Sequence, residues 1–158
     1  MLKKDPLPTD LVGGKTSKTD ERIAFFGAVD ELSAHIMELT HYVENIHMEM
    51  ELRKIVSLLS TMMAEVAGGY GHIGEKHLEE LFEVVKKYEE EAGPFTSFVL
   101  PGTTLMGAKF HIVRTITRRA ELAYAKVYEK YGGSDYIFEY LNKMSTLFYA
   151  IARTYDEK

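Results

Sequence analysis

Apolar residues in this chain recur at steps of three and four, the spacing that keeps side chains on one face of an α-helix. The rhythm breaks mainly where glycine and proline collect: the first 14 residues, Gly68 to Gly74, and Gly93 to Gly107. Between the breaks the pattern predicts five helices. The first runs from Glu21 to about His47, with Thr19 or Asp20 as N-cap and Ile23, Phe26, Val29, Ile36, Leu39 and Val43 facing inward. A second covers Glu49 to about Ala67, and a third covers Glu75 to about Glu91, with Leu78, Leu81, Phe82, Val85 and Tyr88 at helical spacing. Thr103 or Thr104 can cap a fourth that reaches about Tyr131, where Gly132-Gly133 stops it. Ser134 or Asp135 can open a fifth carrying Ile137, Leu141, Met144, Phe148, Ile151 and Tyr155. No strand is evident. The expected architecture is an all-α, five-helix bundle over residues 21–158, preceded by a distinct segment over residues 1–20.

A chain of 158 residues suits one domain with a single core. The fourth helix, at about 42 Å, exceeds what such a core needs, which suggests packing against another copy. Net charge is −5 with both signs interspersed, so the basic footprint of a nucleic-acid binder is missing and no nucleic-acid partner is expected. The absence of cysteine excludes disulfides, iron–sulfur clusters and thiolate zinc sites. The stretch MLKKDPLPTD lacks the apolar run of a signal peptide, and no segment approaches the roughly 18 apolar residues of a membrane span. A cytoplasmic location and no membrane association are expected.

Chemistry concentrates in FVLPGTTLMGAKFHIVRTITRRAE, residues 98–121, which joins an extended apolar stretch to the fourth helix. At 100° per residue, Arg114, Arg118 and Glu121 fall within about 60° of one another. Leu105, Ile112, Ile116, Ala120, Ala123 and Val127 are read as the opposite, buried stripe. Gly14-Lys15-Thr16 hints at a P-loop, but Thr9 stands where the first glycine of that pattern belongs. What remains is Gly13-Gly14 followed by Lys15 and Lys18, either a mobile surface loop or a backbone able to approach phosphate oxygens. Glu38-x-x-His41 and Glu44-x-x-His47 have di-iron spacing, yet they lie six residues apart on one helix, roughly 120° around its axis, and cannot converge. His72 and His77 form no spaced ligand set, Met62 and Met63 read as core, and KKYEEE at 86–91 reads as a solvated helix end.

Together these pieces resemble the PduO-type cob(I)alamin adenosyltransferases. The likeness rests on Phe98-Val99-Leu100-Pro101-Gly102, Arg114-x-x-x-Arg118-Arg119-Ala120-Glu121, Tyr140-Leu141-Asn142-Lys143-Met144-Ser145, Gly13-Gly14-Lys15 with Ser17-Lys18, and Phe26-Gly27-Ala28-Val29-Asp30-Glu31-Leu32. It implies a homotrimer with sites at subunit contacts and transfer of the 5′-deoxyadenosyl group of ATP to cob(I)alamin, releasing triphosphate. By the same resemblance, Thr9, Gly13, Gly14, Lys15 and Lys18 wrap the triphosphate, with Mg²⁺ on its oxygens. Arg118, Arg119 and Glu121 handle phosphates and ribose, and Asn142 holds the adenosine half. Asp30 pairs with Arg114 across the contact, and Phe98 closes the lower face of the corrinoid, which makes Co(II) easier to reduce. A reductase or an adenosylcobalamin-dependent acceptor enzyme are possible partners.

The N-terminal segment departs from the family pattern Thr-Arg-Thr-Gly-Asp-x-Gly-x-Thr. Asp5 meets its aspartate, but Lys4 and Leu7 occupy glycine positions, and Pro6 and Pro8 stiffen a segment the family keeps supple. Thr146 replaces the family's acid four positions after Asn142. These departures keep open an alternative: a trimeric paralogue that binds corrinoid or nucleotide for delivery or regulation, with weak transfer.

Overall fold

The computed structural model describes residues 1–2 and 4–156, so the last two positions of the expected 21–158 unit lie outside the described residues. Five helices follow a short hairpin: β1 (Pro8–Leu11), β2 (Gly14–Ser17), α1 (Glu21–Leu39), α2 (Ile46–Val66), α3 (Glu75–Ala92), α4 (Leu105–Tyr131) and α5 (Asp135–Asp156). The central pair is α4 and α5; α1 packs on α4, α3 on α5, and α2 on α1. One core runs through the bundle, built from residues such as Phe25, Leu32, Leu59, Phe110, Tyr124, Tyr140 and Phe148.

Helix boundaries follow from local chemistry. Asp20 caps α1 by accepting from the Arg22 backbone N–H, Asn45 caps α2 through the N–H groups of His47 and Met48, and Thr104 caps α4 through that of Gly107. Ser134 Oγ accepts from the Tyr136 N–H at the start of α5. Gly132, at φ +74°, ends α4 in the left-handed region that costs glycine little. The adjoining turn is tied to Tyr124, whose hydroxyl donates to the Ser134 carbonyl at 3.0 Å and accepts from its N–H at 2.8 Å.

Three sequence expectations need correction. The N-terminal segment is not strand-free: β1 and β2 pair antiparallel with Thr9 opposite Thr16 and Asp10 opposite Lys15, around the two-residue turn Val12-Gly13. Only Gly13 of that turn has positive φ, +82°, as a type II turn requires. The first helix ends at Leu39 rather than near His47, because Thr40 turns its hydroxyl back onto the Met37 carbonyl and Asn45 already caps the next helix; His41 therefore lies beyond it. Finally, Leu105 and Ile112 are exposed at 68% and 49%, while the buried stripe of α4 runs through Phe110, Val113, Ile116, Thr117, Ala120, Tyr124 and Val127. Leu105, Ile112 and Leu122, itself 68% exposed, give α4 a second, outward apolar face. In α1 the fully buried phenylalanine is Phe25, with Phe26 only packed against the core.

Candidate functional site

The middle of α4 carries the arginine cluster. Arg118 is exposed and makes no hydrogen bond or ion pair with any described residue, and the same holds for Asp30 on α1. Arg114 is half-buried, and its Nε donates to His111 Nδ1 at 3.3 Å. Asp30 and Arg114 therefore do not pair within the chain. Arg119 does have a partner, Glu31, in an exposed ion pair that bridges α4 to α1. Glu121 accepts from Asn142 Nδ2 at 3.4 Å, so α4–α5 packing brings two expected nucleotide residues together.

An open cleft of about 410 Å³ between α1 and α4 adds Lys126 and Thr19 to Arg119, with Glu21, Ala24 and Leu122 along its wall. Its cations suit an anionic ligand. The hairpin stands at the C-terminal end of α4. Thr16 Oγ1 donates to Asp20 at 2.6 Å, and that buried carboxylate also accepts from Arg22 Nη2 at 2.7 Å and the Tyr131 hydroxyl at 3.0 Å. The bonds from Arg22, joined by those from Thr16 and Tyr131, outweigh burial and hold the Asp20 carboxyl far below the usual range. On the hairpin, Lys15 meets Asp10 at 3.7 Å with both side chains exposed, while Lys18 donates its backbone N–H to the Leu7 carbonyl at 2.8 Å.

Phe98 stands at the opposite end of α4, 79% exposed. It lines a cavity of about 160 Å³ with Phe95, Val99, His111, Tyr149 and Arg153. The connector that carries it is fastened by Asp156, whose side chain is only 3% exposed. That carboxylate accepts from the Gly102 N–H at 2.7 Å, the Thr104 N–H at 3.1 Å and the hydroxyls of Thr103 and Thr104. Burial pushes its pKa up, but these donors prevail and the net shift is downward. His111 Nε2 lies 3.3 Å from the same carboxylate. Burial first, then the Arg114 guanidinium, lowers the His111 pKa against the pull of Asp156.

Within one chain the expected site residues are thus strung along α4. From Arg118 to Tyr131 is about 20 Å along the axis, and the Phe98 cavity lies the other way. His111, Asp156, Tyr149 and Lys126 escaped the sequence reading. Asp156 is 45 residues from His111 in sequence, and only the packing of α5 on α4 brings them together.

Comparisons with known proteins identify the family and the fold. The family model described as cobalamin adenosyltransferase matches residues 3–155. A corrinoid adenosyltransferase of Bacillus subtilis (strain 168) is 31% identical, covering 95% of this chain and 82% of its own. One from Citrobacter freundii is 28% identical, covering 92% and 87%. Among solved structures, a variant PduO-type ATP:corrinoid adenosyltransferase from Lactobacillus reuteri complexed with cobalamin and ATP superposes with TM-score 0.82 at 27% identity, covering 95% of this chain and 88% of that one. A further variant from the same organism, complexed with ATP, gives TM-score 0.84 at 27% identity, with coverages of 95% and 89%.

Proposed function

The chain belongs to the cobalamin adenosyltransferase family, and we propose that it works at sites shared between the subunits of a homotrimer. Its reaction is transfer of the 5′-deoxyadenosyl group of ATP to cob(I)alamin. The Co(I) electron pair forms the Co–C5′ bond, the bond between C5′ and the phosphate oxygen breaks, and triphosphate departs with that electron pair. Since Co(I) is itself a strong nucleophile, no general base is needed; the protein must orient C5′, exclude water and stabilise the leaving charge.

In this reading Arg118 is the main ligand of the leaving phosphates, because a guanidinium makes paired hydrogen bonds to phosphate oxygens. Arg119 and Lys126 add charge along the cleft. Thr9, Gly13, Gly14, Lys15 and Lys18 of a neighbouring hairpin close over the triphosphate, and Asn142 with Glu121 holds the nucleoside. Asp30 of one subunit meets Arg114 of the next, and Phe98 covers the lower corrinoid face. The observation carrying the proposal is that Arg118 and Asp30 stand exposed with no partner among the described residues, beside an outward apolar face of Leu105, Ile112 and Leu122. A subunit contact buries the apolar face and supplies the missing partners. Mg²⁺ is assigned to the triphosphate, whose oxygens are the hard ligands it prefers, since Arg119 and Lys126 outnumber the one acid, Glu21, along the cleft. When bound, it adds charge neutralisation on the leaving group. Among the described residues, no helix is long and apolar enough to cross a membrane.

The test is anaerobic incubation with ATP and cob(I)alamin, followed by the adenosylcobalamin spectrum and triphosphate release. One triphosphate per adenosylcobalamin is expected. Tight ATP binding without transfer would instead favour a delivery or regulatory paralogue, the reading suggested by Lys4 and Leu7 where the family has glycines.

A further inference from the structure

His111 has a neighbour at each ring nitrogen. Nδ1 accepts from Arg114 Nε at 3.3 Å, and Nε2 faces the Asp156 carboxylate at 3.3 Å, with the imidazole side chain only 12% exposed. An acceptor at Nδ1 and a donor at Nε2 define one neutral tautomer. The charged and titratable groups around the ring are Arg114 on α4 and Tyr149, Arg153 and Asp156 on α5. The connector contributes only Phe95, Phe98, Val99 and Pro101 to that cavity.

Two consequences follow. Arg114 projects from a helix next to solvent, and a long guanidinium side chain there retains rotamer freedom unless something holds it. Among the described residues, His111 is the one hydrogen-bond partner Arg114 has. The same imidazole is joined, through Asp156, to the Gly102 and Thr104 backbone that anchors the Phe98 connector.

From this geometry we infer that His111 is a positioning residue that, as the neutral Nε2–H tautomer, aims Arg114 toward the subunit contact and ties it to the loop bearing Phe98. The inference rests on the functional reading above and deepens it, because it links the nucleotide side of the site to the corrinoid side through one ring. Protonation places a hydrogen on Nδ1, which destroys the acceptor and sets a second cation against Arg114. As pH falls, Arg114 is released. The lowered pKa of His111, set first by burial and then by Arg114, keeps the neutral form dominant at neutral pH.

Two isosteric variants separate the two bonds. In His111→Asn the amide oxygen can stand for Nδ1 and still accept from Arg114, without titrating. In His111→Gln the amide nitrogen can stand for Nε2 and still reach Asp156, leaving Arg114 without its acceptor. Single-turnover conversion of cob(I)alamin is followed from pH 5.5 to 8.5, with the titration of ATP common to all profiles. His111→Asn is expected to stay within about threefold of wild type at the alkaline end and to lose part of the acid limb, while His111→Gln falls about tenfold or more in the single-turnover rate at saturating ATP. Equal activity of the two variants, or an unchanged acid limb in His111→Asn, overturns the inference. Imidazole ¹⁵N shifts judge the link independently of turnover. An unprotonated Nδ1 at pH 7.5, with a His111 pKa that rises in Arg114→Gln, supports it, and a protonated Nδ1 or an indifferent pKa overturns it. A wild type that turns nothing over but passes the ¹⁵N test would sink the assigned reaction and leave the positioning link standing.

Discussion

Gly107 offers a sharp test of the Asp156 anchor, because the general rule for helices and the local structure predict opposite signs. Gly107 is in the first turn of α4, where Gly→Ala ordinarily stabilises by up to about 1 kcal/mol through backbone entropy. Here an added Cβ would collide with Oδ1 and Cγ of Asp156 and come within 2.7 Å of Oδ2. The carboxylate must leave, and its departure orphans the N–H groups of Gly102 and Thr104 and the Nε2 of His111. Each orphaned group costs about 1–3 kcal/mol when buried; with the connector half exposed, the low end applies and the total is about 3 kcal/mol. Subtracting the propensity gain leaves Gly107→Ala destabilised by about 2 kcal/mol, or roughly 4–8 °C in Tm for a chain of this size. Urea unfolding of wild type, Gly107→Ala, Asp156→Ala and the double variant, at fixed protein concentration, measures all four corners. Asp156→Ala should lose about 3 kcal/mol and the double about 2 kcal/mol, because the new methyl then meets no carboxylate. A Gly107→Ala protein as stable as wild type, or additive effects in the double, would refute the anchor.

Other consequences concern activity and pH. Arg118→Ala should lower turnover by orders of magnitude with the stability of the chain's own fold within about 0.5 kcal/mol of wild type, since the side chain is exposed and bonds to no described residue of its own chain; a loss below about threefold would mean the residue is misassigned. Phe98→Ala should leave Tm within about 2 °C, because the ring is 79% exposed, yet slow corrinoid conversion by about tenfold or more; unchanged conversion would count against a role at the corrinoid face. Asp20 has a depressed carboxyl pKa, so its stabilisation is complete above the ordinary carboxylate value of about 4 and drains as pH falls through the native value. Asp20→Asn should therefore flatten the acid limb of the stability profile, and an unaltered limb would contradict the bonds drawn to Arg22, Thr16 and Tyr131.

How legible this was in the sequence varied with the range of the interactions. Caps at Asp20, Thr104 and Ser134 and the stop at Gly132 were readable because they involve neighbours a few residues apart. The end of α1 was not, because apolar spacing continues through Val43 and no glycine or proline marks Thr40; Asn45, a strong N-cap, was the missed signal. The hairpin was hidden by Pro8 and by strands of four residues, although Val12-Gly13 between Leu11 and Gly14 is a fitting turn. On α4 the spacing alone could not tell the inward apolar face from the outward one. Thr117 and Tyr124 are buried with the core while Leu105 and Leu122 are exposed, an arrangement expected when a helix serves two neighbours. Arg118, Asp30, Phe98 and Asn142 were singled out from their motifs. The Asp156–His111–Arg114 chain could not be, since it depends on the α4–α5 register.

Mixing two disabled variants tests the shared site most directly. Asp30→Ala and Arg114→Ala are each expected to be inactive alone. When they are unfolded, mixed in equal amounts and refolded together, about one contact in four joins an intact Asp30 to an intact Arg114. Adenosylcobalamin formation should then recover to about a quarter of the wild-type rate. A mixture no more active than the mean of the two variants, with exchange of subunits verified, would contradict a site built from two copies of this chain.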